Sequence, residues 1–164
     1  MREQLLEATD VRIHYHSTGG SYKVVDGVDV TINRNEIFGI AGESGCGKST
    51  LVEGIMRLIR PPGKIVSGRA LFYPNQPPQS MTIHSGMTKG DASSAIDLFQ
   101  VNEEDLRYLR WRYISYVPQG SMNSLNPVMR IGDQMLDVTR QHSELSKREA
   151  YERVIDVLRI VAST

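Results

Sequence analysis

A glycine-rich loop at residues 42–50 constrains the fold of this chain more than any other feature. The loop reads Gly42-Glu43-Ser44-Gly45-Cys46-Gly47-Lys48-Ser49-Thr50 and matches the pattern G-x-x-x-x-G-K-[ST]. The apolar run 37–41 before it predicts a strand that is buried on both faces. Apolar residues over 51–59 recur at helical spacing, and Pro61-Pro62-Gly63 predicts the end of that helix. The order strand, loop, helix predicts an α/β core.

The residue types in this loop suit the binding of a phosphate chain. Glycines let the backbone curl until successive N–H groups point into one concavity, and the following helix adds its unpaired N–H groups. Lys48 carries a charge that can reach the terminal phosphates, the Ser49 hydroxyl can ligate Mg²⁺, and Thr50 can bind a phosphate. The candidate phosphate-binding residues are Gly42, Ser44, Gly45, Cys46, Gly47, Lys48, Ser49 and Thr50. The alternative is a glycine-rich turn that binds no ligand.

A second polar loop follows residues 113–117, which predict another strand that ends at Pro118. Gln119 opens this loop, and residues 120–127 continue it with mostly small or polar side chains. The amide oxygen of Gln119 could contact Mg²⁺ or orient a water molecule. The alternative is a surface turn in which this glutamine has no function.

Charge and composition narrow the classes of function. Lysine and arginine together number 19, as do aspartate and glutamate, so the formal net charge is zero. This balance argues against a protein that is held on nucleic acid mainly by phosphate neutralisation. No apolar run approaches the roughly 18 residues of a membrane-spanning helix, and the single cysteine, Cys46, excludes an internal disulfide. These features predict a cytoplasmic protein with no nucleic-acid partner.

The elements on either side of the loop are predicted from their local patterns. The predictions are antiparallel strands over 5–15 and 22–32, a strand over 68–73, an exposed insertion over 74–94, a helix that Asn102 caps and that reaches Arg110, a helix marked by Ile131, Met135 and Val138, and a last helix opened by the capping box Ser146-Lys147-Arg148-Glu149. The insertion is predicted because its residues lack periodicity and are rich in proline, glycine and small polar side chains.

Taken together, four stretches of the sequence resemble the ATP-binding subunits of ABC transporters. Within that family they are most similar to the subunits of dipeptide and oligopeptide importers, whose relatives also move nickel. The four stretches are residues 24–28, 38–50, 103–107 and 119–127. The last of them ends in Ser124-Leu125-Asn126-Pro127, which is typical of that subgroup.

The resemblance implies an α/β fold: an incomplete RecA-like P-loop NTPase core with an ABC-type antiparallel β subdomain and the start of a helical subdomain. Residues 42–50 would be the Walker A loop, in which Lys48 holds the β- and γ-phosphates of ATP and Ser49 holds Mg²⁺. Gln119 would be the Q-loop glutamine, which contacts Mg²⁺ and links the site to the membrane partner. Lys48 and Gln119 are the implied catalytic residues. Tyr15 would stack on adenine, with Tyr22 as the alternative.

The resemblance also divides the chain and implies its partners. The segments would be 1–35, antiparallel β subdomain; 36–62, Walker A strand, loop and helix; 63–117, β subdomain with insertion 74–94; 118–130, Q-loop; and 131–164, start of the helical subdomain. The implied partners are integral-membrane permease subunits, a second ATP-binding subunit that is identical or paralogous, and, indirectly, an extracellular solute-binding protein. The chain would lie on the cytoplasmic face of the membrane, where Mg·ATP binding and hydrolysis drive uptake of peptides or a similar small solute.

Three family motifs are missing from the sequence: the LSGGQ signature, the Walker B strand ending in Asp-Glu, and the switch histidine. We therefore expect an N-terminal fragment of a longer subunit, which binds ATP but does not hydrolyse it efficiently alone. Pro118 and Gly120 also depart from the residues that are usual beside the Q-loop glutamine. These departures leave open which residues would link the site to the membrane partner. A P-loop phosphotransferase and a non-hydrolysing nucleotide-binding regulator are the alternatives.

Overall fold

Regular elements alternate with irregular segments in the computed structural model, which describes residues 3–75, 95–120 and 124–162. The chain divides into two units, Met1–Leu109 and Arg110–Thr164. The elements in chain order are β1 (Gln4–Ser17), β2 (Gly20–Asn33), α1 (Lys48–Ile55), β3 (Gly63–Phe72), β4 (Ile96–Asp97), α2 (Glu103–Arg112), α3 (Ile131–Gln141) and α4 (Lys147–Ala162).

The first unit contains a four-stranded antiparallel sheet with the strand order β2-β1-β3-β4. Strands β1 and β2 form a hairpin whose short turn joins Ser17 to Gly20. The antiparallel strands predicted over 5–15 and 22–32 are confirmed, and both extend beyond those limits. In β1 the apolar residues Leu6, Ala8, Val11 and Ile13 are buried, and the residues between them are more exposed, because successive side chains of a strand point to opposite faces.

Helix α1 packs on this sheet at a glycine. Leu51, Gly54 and Ile55 are buried in α1, and Ile13 of β1 is 0% exposed. A Cβ atom at Gly54 would lie 2.2 Å from Ile13 Cδ1. The missing side chain therefore lets the helix approach the strand closely. Complete burial of a side chain the size of isoleucine contributes roughly 1.5–3 kcal/mol, so this contact helps to fix α1 on the sheet.

Helix α1 is shorter than the helix predicted over 51–59. The Leu58 N–H donates to the Glu53 C=O (2.7 Å) and the Arg57 N–H to the Gly54 C=O (2.9 Å). These two hydrogen bonds are those of a Schellman motif, which ends a helix with one left-handed residue. Arg57 is that residue, with a φ of 54°. The prediction was too long because glycine usually marks this position, and the sequence has an arginine there.

The predictions of strands over 37–41 and 113–117 are wrong. Both segments lie outside regular secondary structure. Ile37 and Val117 are 104% and 82% exposed, although each belongs to a continuous apolar run. A strand requires a neighbour that shares its hydrogen-bond ladder, and the described strands form no ladder with either segment. The apolar runs are typical of a parallel sheet that the described residues do not contain.

Strand β3 begins at Gly63 and covers most of the strand predicted over 68–73. It pairs with the short strand β4, where Asp97 accepts backbone N–H groups from β3 (3.3 Å) and from the following turn (3.0 Å). Residues 76–94 of the predicted insertion 74–94 lie outside the described residues.

Two helices begin at the caps that the sequence predicts. At α2, the Asp105 N–H donates to Asn102 Oδ1 (2.8 Å), and the helix continues past its predicted end to Arg112. At α4, the Ser146 N–H donates to Glu149 Oε2 (2.8 Å) and the Glu149 N–H donates to Ser146 Oγ (3.4 Å). These reciprocal hydrogen bonds confirm the capping box.

In the second unit, α3 and α4 pack against each other. The helix marked by Ile131, Met135 and Val138 is confirmed as α3. A pocket of about 400 Å³ in this unit is lined by Ser124, Leu125, Gln134, Met135, Val138, Thr139, Arg153, Val154 and Val157. The rings of Trp111 and His142 stack with their centroids 4.1 Å apart and their planes 11° apart.

Within the described part of the chain, no helix is long and apolar enough to cross a membrane.

Candidate nucleotide-binding site

A bulge in strand β2 lies where the sheet meets the glycine-rich loop. The pairing register between β1 and β2 shifts after Ile13, so Val24 is the extra residue on β2. A Cβ atom at Gly47 would lie 2.7 Å from the carbonyl oxygen of Val24. Gly47 also has a φ of 94°, which residues with a side chain rarely adopt. Position 47 therefore requires glycine for two independent reasons, and the sheet holds the end of the loop through Val24.

The Lys48 ammonium is held against the beginning of its own loop. Its Nζ donates to the carbonyl oxygens of Gly42 (2.8 Å) and Glu43 (2.5 Å) and lies 3.4 Å from Cys46 Sγ. Hydrogen bonds from a charged donor are stronger than neutral ones. The loop therefore fixes a full positive charge beside its first two residues, Gly42 and Glu43.

The N-terminus of α1 supplies further donors beside this charge. The first hydrogen bond of the helix runs from the Leu51 N–H to the Gly47 C=O (2.8 Å). The N–H groups of Lys48, Ser49 and Thr50 precede it, and the first turn contains no acidic residue. Ser49 is exposed and Thr50 is half-buried. With the positive end of the helix dipole, these groups form a donor set that fits a phosphate chain.

The remaining loop residues leave the backbone accessible. Gly42, Ser44, Gly45 and Cys46 are all exposed. No atom lies within 4 Å of the Cβ position at Gly45, so a ligand can approach the main chain there. In the described part of the chain, no group of three histidine, cysteine, aspartate or glutamate side chains could hold a metal ion.

The two candidate aromatic residues face each other across the hairpin. Tyr15 pairs with Tyr22 between β1 and β2, and with Gly63 between β1 and β3. Tyr15 is half-buried, and a Cβ atom at Gly63 would lie 2.9 Å from its Cζ, so its ring packs on that strand. Tyr22 is 62% exposed on the outer strand. Tyr22 is thus the more accessible ring, and the choice of Tyr15 for adenine stays a prediction.

Gln119 belongs to the second unit, where it is exposed in a turn. Residues 121–123 of the same loop lie outside the described residues. Farther along, the Asn126 N–H donates to Gln134 Oε1 (2.9 Å), and Gln134 Nε2 donates to the Asn126 C=O (3.0 Å). These hydrogen bonds tie the end of the loop to α3. The role predicted for Gln119 at Mg²⁺ stays a prediction.

Sequence reasoning missed two residues of this region. The bulge at Val24 has no local signal, because it is a register shift between paired strands and not a residue type. The left-handed Arg57 was missed because arginine does not mark a helix end, although the helix-ending hydrogen bonds are those that glycine usually makes. Both residues contact segments that are distant in sequence.

A glycine-rich loop with the pattern G-x-x-x-x-G-K-[ST] at the beginning of a helix is typical of P-loop nucleotide-binding proteins. The family model described as "ABC transporter" matches residues 25–162 of the chain. That match covers well over half of the sequence. The chain belongs to the ABC transporter family, and its domain is of the P-loop NTPase type.

Curated relatives match almost the whole chain. It is 33% identical over 158 residues to the dipeptide transport ATP-binding protein DppD of Caldanaerobacter subterraneus subsp. tengcongensis. That alignment covers 96% of this chain and 42% of the relative. The chain is 31% identical over 159 residues to the oligopeptide transport ATP-binding protein OppD of Bacillus subtilis, with 96% and 38% covered. The probable D,D-dipeptide transport ATP-binding protein DdpD of Escherichia coli is 32% identical over 158 residues, with 96% and 42% covered. The chain spans about two fifths of the length of these relatives.

Proposed function

We propose that this chain is the ATP-binding part of an ABC importer that takes up peptides or a similar small solute. The observation that carries the proposal is the arrangement of the Lys48 ammonium beside the first N–H groups of α1. Together they supply one full charge and several aligned donors to a single ligand, as a nucleoside triphosphate requires. The names of the relatives, which are dipeptide and oligopeptide transport ATP-binding proteins, support the choice of solute.

In this proposal the residues have separate tasks. Lys48 holds the β- and γ-phosphates, and residues 42–50 supply backbone N–H groups to the phosphate chain. Ser49 and Gln119 provide oxygen ligands to Mg²⁺, and Tyr15 or Tyr22 stacks on adenine. When bound, Mg²⁺ neutralises charge that develops on the phosphates. The chain's own contribution is to bind and orient the triphosphate.

Turnover requires more than this arrangement. A hydrolase must also orient the attacking water and stabilise the charge on the γ-phosphate. Gln119 is neutral and therefore a poor general base. The sequence contains no LSGGQ signature, no Walker B Asp-Glu and no switch histidine. We therefore propose that these 164 residues bind Mg·ATP without efficient turnover, and that hydrolysis occurs with a second ATP-binding subunit on the cytoplasmic face of a membrane permease.

Titration calorimetry with Mg·ATP tests the binding proposal. Lys48→Ala removes a charged donor, and loss of such a hydrogen bond typically costs about 1.5–3 kcal/mol, or roughly 10- to 150-fold in affinity. Lys147→Ala is the matched control, because this exposed lysine begins α4 in the other unit. Equal affinity of Lys48→Ala and the unmodified chain would refute the binding site. Phosphate release by the unmodified chain that Lys48→Ala abolishes would refute the absence of turnover.

A further inference from the structure

The pocket of about 400 Å³ in the second unit lies between α3, α4 and the segment that precedes α3. The largest group of side chains that line it is apolar and consists of Leu125, Met135, Val138, Val154 and Val157. Pockets of this size, with apolar walls and a few polar groups, are typical of sites for small organic molecules and occur between packed helices. The pocket contains no residue of the glycine-rich loop, which belongs to the first unit.

Arg153 of α4 is the one charged residue among the described residues that line this pocket. Its side chain is exposed and makes no hydrogen bond or ion pair with any other residue that the structure describes. The neighbouring charges of α4 pair elsewhere: Arg148 lies 3.0 Å from Glu152, and Arg159 lies 3.8 Å from Asp156. The Arg153 guanidinium is therefore available to a ligand in the pocket.

The other polar residues that line the pocket are neutral, and two of them are engaged within the unit. Gln134 Nε2 donates to the Asn126 C=O (3.0 Å), and Thr139 Oγ1 donates to the Met135 C=O (2.9 Å). Ser124 contributes a hydroxyl group. Among the described lining residues there is no acidic side chain, so a positively charged group of a ligand would find no partner there. The pocket therefore favours an anion with an apolar body.

We propose that this pocket binds a medium-chain aliphatic carboxylate, with its chain between α3 and α4 and its carboxylate on Arg153. The apolar walls favour an aliphatic chain, because removal of apolar surface from water is favourable. The planar guanidinium offers parallel N–H donors that match the two oxygens of a carboxylate. Amino acids and peptides fit less well, since their ammonium group has no acidic partner in the pocket. The proposal is independent of the proposed function.

Titration calorimetry of the full chain with sodium octanoate tests the site. The unmodified chain is expected to bind one octanoate per chain. Hexanoate is expected to bind roughly fifteenfold more weakly, because each of the two missing methylene groups contributes about fourfold in affinity when it is buried. Octylammonium has the same chain and the opposite charge, so it is expected to bind roughly tenfold more weakly than octanoate.

Variants of Arg153 test the charged contact. Arg153→Gln keeps a polar side chain and removes the charge, so octanoate is expected to bind roughly tenfold more weakly, the low end for a charged donor because Arg153 is exposed. Arg140→Gln is the matched control and is expected to leave the affinity unchanged. Arg140 is an exposed arginine of α3 that makes no ion pair with any described residue and does not line the pocket.

A charge reversal separates binding from folding. Arg153→Glu is expected to bind octylammonium more tightly than octanoate, and an unfolded pocket could not produce this exchange of preference. Equal octanoate affinity of Arg153→Gln and the unmodified chain would overturn the proposal, as would no binding of octanoate at all. Equal binding of octanoate and octylammonium to the unmodified chain would indicate apolar adsorption alone and would also overturn it. Tighter binding of leucyl-leucine than of octanoate would show that the ligand class is wrong. Mg·ATP titrations report separately on residues 42–50, so failure of either proposal is distinguishable from failure of the other.

Discussion

Replacing Gly47 by alanine is expected to destabilise the loop far more than the same change at Gly45. Both glycines have a positive φ, 94° at Gly47 and 79° at Gly45. The left-handed backbone alone costs a residue with a Cβ atom roughly 1–2 kcal/mol. A Cβ at Gly47 would also lie 2.7 Å from the Val24 carbonyl oxygen, whereas nothing lies within 4 Å at Gly45. The two variants therefore share the first cost and differ in the second.

The additional cost at Gly47 comes from a contact with backbone that cannot rotate away. Ordinary van der Waals contact of a Cβ begins near 3.4 Å, so the loop and the bulge at Val24 must separate by several tenths of an ångström. Overpacking of this kind costs about 1–3 kcal/mol. At roughly 3 °C per kcal/mol for a chain of this size, Gly47→Ala is expected to unfold about 3–9 °C below Gly45→Ala.

Thermal unfolding followed by circular dichroism measures this difference directly. The Gly45→Ala variant serves as the matched control, because it carries the backbone strain without the contact. Equal midpoints of the two variants would refute the argument that Val24 fixes the end of the loop. A midpoint of Gly45→Ala equal to that of the unmodified chain would show that the positive φ at this site carries no cost.

Two further variants test the packing of α1 and the cap of α4. Gly54→Ala is expected to unfold at a lower temperature than Gly132→Ala in α3. Both changes gain about 1 kcal/mol of helix propensity, but only the Cβ at position 54 overlaps a buried side chain, that of Ile13, and such overpacking costs about 1–3 kcal/mol. Equal midpoints or the opposite order would contradict the close approach of α1 to β1. The hydrogen bond from the Ser146 hydroxyl lowers the pKa of Glu149 below its ordinary 4.5, so its stabilisation is present above that value and is lost as the pH falls through the lowered pKa. Circular dichroism should therefore show that Glu149→Gln removes part of this acid sensitivity, and an unchanged acid profile would contradict the cap's contribution.

Much of the candidate site was predictable because its signals are local. The loop over 42–50 is defined by glycines, a lysine and hydroxyls at fixed spacing, and the structure places the Lys48 ammonium at the loop opening. The hairpin, the Asn102 cap and the capping box at Ser146 are equally local, since each depends on residues that are adjacent or a few positions apart. Backbone sterics and nearby side-chain hydrogen bonds determine such features before any packing occurs.

The tertiary structure decided the features that depend on distant partners. The apolar runs over 37–41 and 113–117 have the composition of buried strands, yet a strand also needs a neighbouring strand to accept its hydrogen bonds, and the described sheet provides none for them. The bulge at Val24 arises from the register between β1 and β2. The left-handed conformation of Arg57 is accompanied by contacts with carbonyl oxygens and a carboxylate far along the chain. The sequence by itself determined the loop chemistry and the helix caps, whereas contacts between remote segments decided where α1 ends and how the loop is held.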